Sequence, residues 1–189
     1  MKTIKTANYI KISKTQKEKK DFFYKRLNNH IKQVKNFAKK IVDKYPEYKK
    51  LLDQVKNHDD SKFKEPELTP YIELTWAKKE GKNSSTKEMN DATEYHVKHN
   101  SHHPEYHVKD KEDISIDAEN RDKLNKCVDV NGMDDISIVE MIADWQAVSE
   151  ELKTNTAREW YNDTKDVRWS FSKKQEKLID KLLKVFEDN

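Results

Sequence analysis

Two glycines and four prolines in a chain of 189 residues leave few places where the backbone can reverse sharply. A sandwich or barrel needs a turn former roughly every 8–12 residues, so an all-α fold is expected instead. The length fits one domain better than two, and a domain of that size buries most of its apolar surface. Its core must be economical, because only 34% of the residues are hydrophobic and 39% are charged. Disorder is the competing reading of such a composition. Aromatic residues at 10% and apolar residues at helical spacing argue against it over most of the chain.

The set Phe23, Leu27, Ile31, Val34, Phe37, Ala38, Ile41 and Tyr45 recurs at intervals of three and four, which predicts a long helix from about Lys17 to Tyr45. His30 lies inside that stripe. Residues 1–16 read as a basic arm or short strand, and residues 17–189 as one helical domain. Pro46 can start a second helix, with Tyr48, Leu51, Leu52 and Val55 inward, that ends at His58-Asp59. Pro66 and Pro70 break the chain before a short helix from Tyr71 to Lys79, closed by Gly81. Three capping boxes are expected to open later helices, at Ser85 to Glu88, Ser137 to Glu140 and Ser172 to Gln175. The first leads into Met89, Ala92, His96 and His99 on one face, in a helix that Pro104 stops. The second leads into Ile138, Met141, Ile142, Trp145, Val148 and Leu152, with Asp144 at the edge of that face. The third leads into Leu178, Ile179, Leu182, Leu183 and Phe186. Residues 108–117 read as loop, with a weak helix over 118–128.

Charge and cysteine content narrow the setting. The net charge is +3 with both signs interspersed, and only Lys2 to Lys20 is clearly basic. That segment reads as a solvated leader, so nucleic acid is not an expected partner. A single cysteine, Cys127, forms no internal disulfide, and no run approaches the roughly 20 apolar residues of a membrane span. No apolar leader opens the chain. A cytoplasmic protein with a small-molecule partner is expected.

His30 alone is most simply a histidine satisfied by a hydrogen bond, and His58-Asp59 alone is a common dipeptide. Both are metal-ligand types, and side by side at a helix end they can converge on one ion, although helical neighbours point about 100° apart. Taken in order, the helical His30, then His58-Asp59 with Lys62 following, then the helical Asp144, resemble the metal-binding signature of the HD-domain phosphohydrolase superfamily. The segment His58-Asp59-Asp60-Ser61-Lys62 is similar to that family's His-Asp-x-x-Lys segment, with Ser61 where glycine is usual. The stretch from His96 to Tyr106, with Asp144-Trp145, resembles a narrower phage and bacterial group of HD-like proteins, which implies the cytoplasm of a bacterium or of a phage-infected host.

The resemblance implies a divalent metal held by His30, His58, Asp59 and Asp144. Mixed imidazole and carboxylate ligation suits Mn, Fe, Co, Ni or Zn. It also implies hydrolysis of a phosphate ester, a nucleotide or cyclic nucleotide by preference, through a metal-activated water. Five of the seven histidines fall within twelve residues, at His96, His99, His102, His103 and His107. Among them His102 or His103 is the choice to complete a second metal site or to contact phosphate. Lys62 and Lys98 can neutralise phosphate charge, and Glu105 can steer water or a leaving-group proton. Trp76, Tyr95, Tyr106 and Trp145 can stack on a base, although aromatics on helical stripes are usually core. Asp134-Asp135 reads as a polar lead into a capped helix. A protein that binds a nucleotide without turnover, and a helical interaction protein with an incidental histidine tract, are the alternatives.

Overall fold

A computed structural model describes residues 2–82, 86–109 and 127–187, with side chains described from residue 15 onward. It is all-α. Helix α1 (Lys2–Lys44) is continuous, so the arm or strand expected over residues 1–16 is instead the first turns of that helix. No glycine or proline interrupts it before Pro46, which leaves nothing to break the backbone ladder. The helix expected from Pro46 is shorter and tighter than a single α-helix. A 3₁₀ turn at Pro46–Tyr48 leads into α2 (Leu51–Gln54) and a second 3₁₀ turn at Val55–Asn57, with His58 just beyond it.

Helix α3 (Leu68–Lys79) starts before Pro70, not after it. Proline is tolerated in a first turn because its N–H would find no partner there anyway. Gly81 follows with φ 70°, the left-handed conformation that ends the helix as expected. Helix α4 (Lys87–His99) is capped by Thr86, whose hydroxyl accepts from the Met89 N–H, so the cap stands one residue beyond the expected Ser85. Ser85 itself and residues 110–126, with most of the weak helix expected there, lie outside the described residues. Val128–Asp129 forms strand β1, which pairs in parallel with β2 (Trp169–Ser170).

Helix α5 (Asp135–Leu152) is opened by Asp134, which accepts from the N–H groups of Ile136 and Ser137. Asp134-Asp135 is thus the polar lead it was expected to be, and Ser137 is a first-turn residue instead of the cap. Helix α6 (Ala157–Thr164) carries a full capping box between Thr156 and Glu159 that the sequence reading missed. The box before α7 (Lys173–Glu187) is present as expected, with Ser172 and Gln175 bonded reciprocally.

The core is built on α5, which packs against α1 on one side and α7 on the other. Val34, Ala38 and Ile41 of α1 meet Ile138, Met141 and Ile142 of α5 and Ile179 and Leu182 of α7, all fully buried. Each of these side chains larger than Ala38 contributes about 1.5–3 kcal/mol by leaving water. A smaller cluster of Phe23, Leu27 and Ile72 joins α1 to α3. Two expectations fail at the end of α5, where Val148 is 36% and Leu152 52% exposed. His99 is exposed too, so the buried face of α4 ends with His96 and Val97.

Ile142→Ala removes a fully buried side chain from the centre of this core. It is expected to destabilise the protein by about 2–5 kcal/mol in denaturant unfolding. Leu152→Ala, on the exposed end of the same helix, is expected to change stability by less than about 0.5 kcal/mol.

Candidate metal centre

Sequence neighbours diverge on a helix, and this structure brings His58 and Asp59 together by leaving the helix between them. His58 is extended at φ −53° and ψ 127°, and Asp59 takes the left-handed conformation at φ 60°. Among non-glycine residues aspartate is one of the few that visits that region readily. Both side chains then reach one point, beneath α1 and α5.

From α1, His30 Nε2 stands 3.0 Å from Asp144 Oδ1 and 3.6 Å from Asp59 Oδ2. His58 Nε2 is 3.8 Å from each of the same two carboxylates. The expected set of His30, His58, Asp59 and Asp144 is therefore one cluster. The other oxygen of Asp59 faces a second group. His96 Nε2 lies 3.2 Å and His102 Nε2 3.7 Å from Asp59 Oδ1. His96, His102 and His103 present ring nitrogens within 4.8 Å of one another. Asp59, at 1% exposure, stands between the two groups.

Two of these histidines are held from behind. His58 donates from Nδ1 to Glu140 Oε1 at 2.9 Å, and Gln54 donates to the other oxygen of Glu140 at 2.5 Å. His96 donates from Nδ1 to Glu67 Oε2 at 2.8 Å. A carboxylate on Nδ1 fixes the tautomer and leaves the Nε2 lone pair aimed inward, which is how ligating histidines are usually held. Those inward atoms, His58 Nε2, His96 Nε2 and Asp59 Oδ1, are buried without a hydrogen-bond partner. They are acceptors crowded on acceptors, and a cation resolves such a contact.

Charge follows from the same packing. Without an ion in the site, burial opposes a charge on His58, but Asp59, Asp144 and Glu140 outweigh it and raise its pKa from 6.5 to about 10, so a proton on Nε2 then takes the place that a metal cation would fill. Burial likewise opposes ionisation of Asp59 and Asp144, yet the facing cations and imidazoles hold both well below the usual carboxylate range. His102 and His103 go the other way. Burial and then the neighbouring His58 push His102 well down, and burial with His102 and His96 does the same to His103. Both are neutral imidazoles, the form that binds metals.

Lys62 lines a cavity that His30, Asp59, His96, His103 and Asp144 also line, with its ammonium 2.7 Å from Asp59 Oδ2 and over the Tyr71 ring. Glu105 does not itself line the cavity. Its Oε1 accepts from Arg168 Nη2 at 2.8 Å and Trp169 Nε1 at 3.1 Å, two residues of the cavity wall. That carboxylate holds the chain before α7, and Lys98 pairs with Glu94 on α4. His99 and His107 donate to the backbone carbonyls of Tyr95 and Ser101, away from the cluster. Of the aromatics considered for stacking, Trp145 lines the cavity, whereas Trp76 bonds Glu80 on α3 and Tyr95 and Tyr106 are exposed.

Sequence reasoning missed His96, Glu140 and Glu67. Glu140 left a signal, an acid one turn before Asp144 inside an apolar helical face. Glu67, between two prolines, left none.

Fold and site together define an all-helical protein whose buried His/Asp cluster can hold a metal ion. Residues 19–185 match the model of a family described as "Family of unknown function (DUF5662)", and the chain belongs to that family. No curated protein and no solved structure matches the chain. Among the described residues, no helix is long and apolar enough to cross a membrane.

Glu140→Gln should keep the fold and weaken Mn²⁺ binding about 10–100-fold in a calorimetric titration, the scale for losing a carboxylate behind a ligand. The pH dependence of the chelator-treated protein is a second check. A folded pKa raised above the unfolded value gives stability that is complete below about pH 6.5, and it is lost as pH rises through about 10. The chelated protein should therefore melt at a lower temperature near pH 10 than near pH 6, and His58→Gln should lack that part of the loss.

Proposed function

We propose that this chain is a metal-dependent phosphohydrolase that cleaves a phosphate ester, with a nucleotide or cyclic nucleotide as its substrate class. The observation that carries the reading is that five of the cluster's residues, His30, Asp59, His96, His103 and Asp144, line a cavity of about 540 Å³. That is the size of a small-molecule site, and more than a phosphate group alone fills. His30, His58, Asp59 and Asp144 would hold a first ion. His96, His102 and His103 would hold a second, and Asp59 faces both groups of residues. The order of these residues along the chain, and its resemblance to the HD-type signature, point the same way.

A bound divalent ion of the Mn, Fe, Co, Ni or Zn type supplies a water of lowered pKa and draws charge from the phosphoryl oxygens. The protein's own groups do the rest. Glu140 and Glu67 fix the rings of His58 and His96, so the inward nitrogens need no reorganisation. The ammonium of Lys62, on the cavity wall, offers positive charge to the phosphate beside Asp59. Burial of the cluster keeps bulk water from screening those charges.

Elemental analysis of untagged protein, followed by chromatographic detection of hydrolysis products from a panel of nucleotides and cyclic nucleotides, tests the reading. The wild type should carry a transition metal and hydrolyse at least one of these esters. His30→Ala, His58→Ala, Asp59→Asn and Asp144→Asn should each lose most of the metal and the turnover. His102→Ala and His103→Ala should keep the first ion and lose roughly 10²–10³-fold in turnover. Metal without turnover on any ester would leave a binding protein, and wild-type turnover in Asp144→Asn would remove that residue from the site.

A further inference from the structure

The cavity lined by the metal cluster also has an apolar stretch of wall, beside the ion pair of Arg26 and Glu151. Its outer wall comes from the last turn of α5, the turn after it and the start of α6. Val148 and Leu152 line this wall, and they are the two residues of the α5 apolar stripe that the core leaves exposed. Trp160 of α6 and Trp145 of α5 continue it inward, where Trp145 stacks on Trp169 with ring centroids 5.7 Å apart.

An apolar stripe left open beside water is unfavourable unless something covers it. Here it shares one cavity with a site for an anion. The shared ligand must then carry an anionic head and an apolar or aromatic body. Two features favour an aromatic, hydrogen-bonding body over an alkyl chain. Indole rings make up the inner part of the wall, and Ser149, Asn155 and Thr156 line its edge with polar atoms. The wall is also rigid. Lys153 closes α5 in the left-handed conformation, the Ser149 hydroxyl donates to the Asn155 carbonyl at 2.7 Å, and Thr156 is locked in its capping box. A preorganised surface of this kind loses little entropy on binding.

We propose that Val148, Leu152 and Trp160 form a nucleobase-binding wall that sets which phosphate ester the site accepts. The proposal rests on the phosphohydrolase reading for its anionic head. It adds the position of the organic group and the residues that select it. The phosphate lies toward Lys62 and the metal ligands, and the base lies against the end of α5 and Trp160. The end of α5 and the α5–α6 turn are thereby a specificity element.

Binding by calorimetry to the Mn²⁺-loaded protein tests this without turnover, using phosphonates, whose P–C bond is not hydrolysed. The probes are a nucleoside 5′-phosphonate, the base-free ribose 5-phosphonate and hexylphosphonate. The nucleoside probe should bind about tenfold tighter than either of the others, the scale of one base stacked on an aromatic surface. Trp160→Ala should abolish that preference while leaving ribose 5-phosphonate binding unchanged. Leu152→Ser, at an exposed position that does not threaten the fold, should reduce it in the same selective way. Equal binding of the nucleoside and base-free probes would overturn the proposal, as would tightest binding of hexylphosphonate, loss of all three affinities together in Leu152→Ser, or no binding of any probe. Selective binding of the nucleoside probe by a protein that hydrolyses no ester would retain the wall and defeat the phosphohydrolase reading alone. Ester hydrolysis without base preference would do the reverse.

Discussion

The carboxylate of Asp59 has almost no contact with water, and a buried carboxylate keeps its charge only if positive or hydrogen-bonding groups replace the water it has lost. Much of this structure meets that demand. Lys62 approaches one oxygen of Asp59 along with His30 and His58, and His96 and His102 approach the other. These partners come from α1, from the turn around Asp59, from α4 and from the segment after it, so the carboxylate joins parts of the chain far apart in sequence. Beyond Lys62, the groups that face Asp59 are imidazole nitrogens, which meet a carboxylate oxygen favourably only when a proton or a metal cation stands between them, and this is the physical basis for reading the set as a metal centre.

The scaffold divides the labour. Helices α1 and α5 are long, packed against each other through fully buried aliphatic residues, and each contributes one donor from its interface, His30 and Asp144. Neither donor can shift without moving the core. His96 projects from α4, whereas His58, Asp59, His102 and His103 sit on short, tightly turned segments, where backbone that is not regular helix lets adjacent residues aim at one place. Carboxylates fix two of these donors from behind, Glu140 behind His58 and Glu67 behind His96. Glu140 projects from α5, one turn before Asp144, so a single helix supplies both a donor and the support of a second donor.

Much of the fold was legible, for stated reasons. Scarcity of glycine and proline argued against a sandwich or barrel, and the spacing from Phe23 to Ile41 found the longest helix. Caps were read less well, because several polar residues in a row can each serve. Ser85 and Ser137 fit the capping pattern, but Thr86 and Asp134 fill the role. The four proposed ligands were found by their order and by resemblance, and the structure gathers them. His96 was passed over because its spacing also suits a core position, and burial alone does not separate the two. Glu105 was misplaced because a glutamate near a histidine tract carries no mark of direction, and its partners, Arg168 and Trp169, lie more than sixty residues away in sequence. Val148 and Leu152 continued a stripe correctly, but no sequence pattern says whether such a stripe meets a core or a cavity.

The central claim is that the inward-facing donors share a metal ion. An anomalous difference map from crystals of the Mn²⁺-loaded protein measures this directly. The account predicts a peak among His30, His58, Asp59 and Asp144, with Asp59 also facing any second peak near His96, His102 and His103. A map with its only peaks at the exposed His99 or at His107, or with none in a protein that is folded and saturated with the ion, would contradict it.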